Sequence, residues 1–236
     1  MRKLTILFLT LTFAFTSATY AQRRTVQNKP YIDYRKFHYG FLFAVHSQGI
    51  SFENNGYIEP TTGEQWYAED SRMNIGFTVG VLGEWRLNQY FALRATPSLH
   101  FGQKSIVFRE QATKRETTQT MKSTYISVPV DIKFAAPRFN NYRPYLLAGV
   151  NPMYNLTRQK QENILTKPFD IYLEFGLGCD FYLPYFKLIP ELKFCIGLLD
   201  ILDKDRRALR DKNKLVYTQS VNKSKADMVI LTFYFE

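Results

Sequence analysis

The chain has 236 residues, with 31 Lys and Arg against 21 Asp and Glu and a formal net charge of +10. Hydrophobic residues make up 45% and aromatic residues 16%, yet the mean hydropathy is slightly negative at −0.27. This length suits one domain, and past residue 21 no apolar run reaches the roughly 20 residues of a helical membrane span, which excludes a helical membrane protein.

The first predicted element is an export signal. Arg2 and Lys3 are followed by an apolar stretch from Leu4 to Phe15 and by the small-residue cleavage motif Thr19-Tyr20-Ala21 ahead of Gln22. The stretch is too short for a membrane anchor. Without a Cys after the cleavage position, no lipid anchor is expected. Residues 1–21 therefore read as a signal peptide cleaved near Ala21, and 22–36 as a polar, basic, flexible periplasmic tail. Export argues against nucleic acid as the partner of the positive charge. It favours lipopolysaccharide phosphates or acidic proteins.

Eight alternating segments follow over 37–236. Side chains alternate across a strand, so each segment carries one apolar and one polar face. The first spans 37–46, with Phe37, Tyr39, Phe41, Phe43 and Val45 on one side. The second, 73–86, sets Ile75, Phe77, Val79, Val81 and Trp85 against Asn74, Thr78, Glu84 and Arg86. The third, 90–102, sets Phe91, Leu93, Leu99 and Phe101 against Arg94, Thr96, Ser98 and His100. The fourth is 122–134, with Asp131 and Lys133 on the polar side, and the fifth is 142–154. The sixth, 169–182, places Glu174 and Asp180 opposite Phe175, Leu177 and Phe181. The seventh is 186–198 and the last 226–235.

A soluble barrel would turn the charged faces to water. A membrane barrel turns its apolar faces to lipid and its charges to the lumen. The export signal favours the second arrangement. Connection lengths agree, being short at 87–89, 135–141 and 183–185 and long at 47–72, 103–121, 155–168 and 199–225. Short periplasmic turns and long extracellular loops are the asymmetry of an outer-membrane barrel. The expected fold is thus all-β, an eight-stranded antiparallel up-and-down transmembrane barrel in the outer membrane. Pro97, Pro129, Pro152 and Pro190 fall inside strands and demand bulges or bends. The closing run Leu231-Thr232-Phe233-Tyr234-Phe235-Glu236 is an aromatic-rich terminal strand.

The lumen should hold Glu84, Arg86, Arg94, His100, Asp131, Lys133, Glu174, Asp180, Lys187, Glu191 and Lys193. Eight strands leave room only for side chains, so these charges are expected to pair as a structural plug rather than line a pore. Ser98 and His100 share a face two residues apart, but a nucleophile needs an orienting third group and access to substrate. Both face the lumen, as do His38 and His46, which are too far apart for a metal site. No catalytic, cofactor or metal residues are assigned. Cys179 and Cys195 fall on opposite faces and cannot be bridged. The mixed run 203–214 should form a solvated outer loop with a short helix. In it, Arg206, Arg207, Arg210, Lys212 and Lys214 could contact lipopolysaccharide or a partner protein.

Several runs together resemble the PorT family, called SprT in gliding bacteria. They are His38-Tyr39-Gly40-Phe41, Leu93-Arg94 leading through Pro97 to Phe101-Gly102, Asn140-Asn141-Tyr142-Arg143-Pro144-Tyr145, the block from Glu174 to Lys187, Pro190-Glu191-Leu192-Lys193-Phe194, and the closing run. The resemblance implies an outer-membrane barrel of Bacteroidota with no catalytic activity. It would be a component of the type IX secretion system, which exports proteases and adhesins bearing a C-terminal signal and in some species supports gliding. Other type IX components would be its partners. Two further readings stay open: a generic OmpX-like barrel of adhesion or envelope integrity, and a lipid A-modifying barrel enzyme.

Overall fold

The computed structural model describes residues 26–60, 63–70, 74–157, 164–207 and 212–236. Eleven strands lie among them: β1 Phe37–Asn54, β2 Trp66–Ala68, β3 Asn74–Arg86, β4 Phe91–Ala95, β5 Ser98–Glu110, β6 Glu116–Ser127, β7 Val130–Ala135, β8 Tyr142–Asn155, β9 Phe169–Tyr182, β10 Lys187–Gly197 and β11 Val221–Phe235. The first strand pairs antiparallel with both β3 and the last strand β11, in registers that include Phe41↔Val81 and Phe41↔Phe235. The ring closes through β8–β9, β9–β10 and β10–β11. Closure gives each of the eight crossings a hydrogen-bonded neighbour on both sides, the condition for backbone that crosses lipid.

Eleven strands make eight crossings because two crossings are broken at proline and β2 is a short strand in an outer loop. Thr96-Pro97 separates β4 from β5, and Val128-Pro129 separates β6 from β7. Proline has no N–H to give the ladder. The prolines still accept: Val81 N–H bonds to the Pro97 carbonyl at 3.0 Å, Thr96 N–H to Pro129 at 3.3 Å and Val128 N–H to Pro152 at 3.3 Å. In β10 the ladder to β9 skips Ile189 and Pro190, whereas the ladder to β11 runs through them.

The faces are inverted relative to a soluble protein. Phe41, Phe77, Val81, Ile132, Leu146 and Leu177 stand exposed on the outer wall, while Thr78, Glu84, Arg94, Asp131 and Glu191 are buried inside. Aromatic rings cross the outer wall in stacked neighbours, including Phe41–Phe235 and Phe77–Phe101 at 5.1 Å and Phe37–Trp85 at 6.0 Å. Such cross-strand pairs stabilise a sheet beyond the area they bury.

Two expectations change. The wall is taller than the alternation predicts: 103–121 is a hairpin, with β5 and β6 paired from Ser98↔Ser127 to Arg109↔Glu116. Its inward residues Ile106, Phe108 and Met121 join Ile50, Trp66, Ile164, Leu202, Val216 and Val221 in an apolar cluster that caps the lumen at the loop end. Its outward residues are mostly polar, which hides the strand from a search for lipid-facing alternation.

Of the stretch 203–214, residues 208–211 lie outside the described residues; the described part holds a 3-10 turn at Lys212–Lys214, and the short helix α1 Leu215–Gln219 follows it. Asp203 and Asp205 accept the backbone N–H groups of Asp205 and Arg207, holding that stretch in turns. The helix begins where Val216 and Thr218 can be buried.

The tail, finally, is docked rather than loose over its described part, 26–36. Asn28 N–H donates to Asn141 Oδ1 at 2.8 Å, and its side-chain amide donates to the Tyr182 carbonyl at 2.9 Å. A 3-10 turn at Ile32–Tyr34 then brings Asp33 under the ring, where Tyr182 donates to it at 2.8 Å. Residues 1–21, expected to be a signal peptide, and residues 22–25 lie outside the described residues.

Candidate functional site

The lumen is built by register. Glu84 of β3 lies opposite Arg94 of β4, Arg94 opposite Asp131 of β7, Asp131 opposite Gly149 of β8, and Gly149 opposite Glu174 of β9. The Glu84, Arg94, Asp131 and Glu174 side chains of this row are all buried inside the ring. Gly149 and Gly178 supply the room: a Cβ on Gly149 would collide with the Asp131 carboxylate, and one on Gly178 with the Tyr145 ring.

A continuous chain of ion pairs results, rising from the turn end. Glu236 lies 3.0 Å from Lys187, Lys187 3.4 Å from Asp180, and Asp180 2.9 Å from Lys133. Lys133 reaches Glu84 at 3.4 Å, and Arg94 joins Glu84 at 2.6 Å to Glu191 at 2.5 Å. Lys193 then links Glu191 at 3.7 Å, Asp131 at 2.7 Å and Glu174 at 3.1 Å. His38 closes the lower end on Glu236 at 2.5 Å. Tyr145 and Tyr234 donate to Glu191 and flank Arg94, whose guanidinium carbon lies 5.1 and 5.0 Å from their ring centroids.

Above the ions sits a neutral polar layer. Thr78 Oγ1 lies 2.8 Å from Nδ1 of both His46 and His100, and His100 Nε2 lies 2.8 Å from Ser127 Oγ. Higher still, Lys104 donates to Tyr125 at 3.1 Å, and the apolar cap covers it. Desolvated charges are tolerated only when paired and hydrogen-bonded, and here the charges from Glu236 up to Glu174 are cross-linked, whereas Lys104 above them meets a hydroxyl and a ring rather than a carboxylate. A space of about 10 Å³ beside Lys187 and Glu84 holds one water at most. The ion pairs and their tyrosine partners fill this part of the lumen.

Of the eleven lumen residues expected from sequence, ten are buried and brought together in the ion chain or the layer above it. Arg86 is not. It sits at the turn end, 3.9 Å from Asp33, with Nε donating to the Asn88 carbonyl at 3.2 Å. As the last residue of β3 it falls below the lumen, at the mouth. Ser98 Oγ lies 3.3 Å from His100 Nε2, but the partners of that imidazole are hydroxyls and no carboxylate orients it. Both side chains are buried inside the ring, away from the lipid wall. Cys179 and Cys195 are free, Cys195 donating to Glu174 Oε1 at 3.4 Å.

The basic outer loop divides. Arg206 is buried at 7% exposure, which removes it from the contact surface expected of it. Arg207 is exposed and held by Asp205 at 2.8 Å. Lys212 is exposed and Lys214 half-buried, while Arg210 lies outside the described residues.

Sequence reasoning missed Glu236, Asp33 and the inward tyrosines. Strand parity alone would have placed Tyr145 and Tyr234 inside. Asp33 carried no periodic signal. Among the described residues no His, Cys, Asp and Glu group could hold a metal, and no helix is long and apolar enough to cross a membrane.

A family model described as "outer membrane protein beta-barrel domain" matches residues 20–203. Comparison with curated proteins finds no match. Among solved structures, the outer membrane protein OprG from Pseudomonas aeruginosa is similar at 12% identity and a TM-score of 0.43, covering 83% of this chain and 94% of that one. Neisserial surface protein A gives 9% identity and 0.43, covering 85% and 98%. The attachment invasion locus protein Ail of Yersinia pestis gives 13% and 0.35, covering 84% and 96%.

Proposed function

The chain belongs to the outer membrane protein β-barrel domain family, and from that premise we propose that it is a non-enzymatic component of the type IX secretion system, of the PorT/SprT kind. The observation that carries this reading is the run Glu174–Lys187 with Pro190–Phe194. It supplies the PorT-like motifs and builds β9, its turn and β10. The charges of that run, Glu174, Asp180, Lys187, Glu191 and Lys193, fill the lumen. A barrel whose interior is given over to paired charges has only its two mouths and its wall for function. That supports a partner-binding role, with other secretion components and lipopolysaccharide as contacts. The inward burial of Ser98 and His100 supports the absence of lipid A chemistry.

Deleting the gene should abolish export of proteases and adhesins that carry the C-terminal signal, and a plasmid copy should restore it. Unchanged export together with envelope or adhesion defects would replace this reading with the generic barrel. Altered lipid A, reproduced by Ser98→Ala or His100→Ala, would replace it with the enzyme.

A further inference from the structure

The periplasmic mouth carries a charge imbalance that the lumen does not absorb. An open recess of about 560 Å³ lies there, lined by Arg35, Lys36, Arg86, Arg138 and Arg143, with Asp33 as its one carboxylate. Asp33 lies 3.3 Å from Arg138, 3.6 Å from Arg143 and 3.9 Å from Arg86. One carboxylate therefore serves three guanidinium groups. The Arg138 and Arg143 side chains keep only 8% and 9% of their exposure, so water screens them little. Arg86 Nη1 is buried and makes no hydrogen bond. Arg35 and Lys36 stand exposed at the rim.

Arg86, Arg138 and Arg143 are held in place by carbonyl acceptors, Arg86 by that of Asn88. Arg138 bonds to Asn28, Lys29 and Asn140 and lies 3.6 Å over the Tyr182 ring. Arg143 bonds to Ala136 and Gln89. The cations are thus positioned in advance, which lowers the ordering cost of binding an anion.

We propose that this recess is a docking site for an acidic peptide segment of a periplasmic protein, with Asp33 as the chain's own stand-in for the first carboxylate. Carboxylate is the group the recess already accepts, and guanidinium forks suit it. The recess opens at the end of the lumen on turns and tail, away from the lipid wall. Lipopolysaccharide phosphates lie at the opposite, loop end. The inference goes beyond the secretion reading and rests on the geometry of the mouth alone.

The test uses the native protein in detergent and a fluorescently labelled hexaglutamate peptide, with hexalysine as control, read by anisotropy at low salt. Wild type binds hexaglutamate and not hexalysine. Asp33→Asn releases the three arginines and tightens binding about threefold or more, whereas Arg35→Glu with Lys36→Glu weakens it about tenfold. The rim pair is exposed, so that variant keeps its fold, which a heat-modifiable band on gels verifies. Absence of binding below roughly 1 mM in both wild type and Asp33→Asn overturns the proposal. So does affinity unchanged by the rim reversal, or inorganic phosphate displacing the peptide at equal or lower concentration.

Discussion

Arg94 is the residue on which the lumen turns. It is fully buried, bonds Glu84 and Glu191 at once, and is enclosed by Tyr145 and Tyr234. Removing one partner of a buried pair costs far more than the pair is worth, because the remaining charge stays desolvated. Arg94→Met is expected to lower stability by about 3–5 kcal/mol, measured by urea unfolding in detergent. Arg94→Lys should lose less, since it keeps the charge and gives up only the fork. Adding Glu84→Gln and Glu191→Gln to Arg94→Met should recover most of the loss; a triple variant as weak as the single one would contradict the ion-pair explanation. At Gly149 the constraint is steric. Gly149→Ala should displace Asp131 from Lys193 and cost about 1–3 kcal/mol, with the same readout. Most of this was legible from parity, which puts Glu84, Arg94, Asp131 and Glu191 on inward faces. What parity could not give was partnership. Arg94 and Glu191 are 97 positions apart, and they meet across the lumen, a juxtaposition that only ring closure sets. Asp33 and Glu236 lie beyond strand ends, where no period applies.

At the scale of elements, the alternation reveals each crossing wherever lipid selects an apolar outer face, and it fails above that height. β5 and β6 continue to Glu110 and from Glu116, but their outer residues there, among them Ser105, Arg109, Thr118 and Lys122, carry no lipid signal. The inner residues Ile106 and Phe108 had a reason to be apolar that sequence did not disclose: they meet Trp66 and Tyr217 from two loops. Proline was legible as a break at Pro97 and Pro129, which divide two crossings into four strands, but β8 and β10 run on through Pro152 and Pro190. The outer cap is a separate packing unit above the ion chain. Trp66→Ala is expected to remove about 3–5 kcal/mol of packing from the cap without opening the ring. Limited proteolysis should then cut within 55–72 or 199–220 much faster than in the wild type, while the heat-modifiable band persists. Loss of that band at the same rate would mean that cap and ring fold as one unit.

As a whole molecule the protein is a wall with greasy outer and ionic inner surfaces, closed at one end by an apolar cap and at the other by a docked tail. A column of paired charges between two closures is expected to leave no water path. The purified protein should give no conductance steps in a planar bilayer; resolved, reproducible steps would contradict that expectation. The orientation of the two faces underlies all of this, and the chain has two tryptophans, one for each environment. Trp85 stands on the outer wall stacked on Phe37, and Trp66 is buried in the cap. The direct measurement is fluorescence quenching in vesicles of brominated phospholipid, using Trp66→Phe and Trp85→Phe so that each variant reports one indole. Strong quenching of Trp85 and none of Trp66 is the predicted result. Trp85 left unquenched, at the level seen in unbrominated vesicles, would show that the apolar face does not meet lipid.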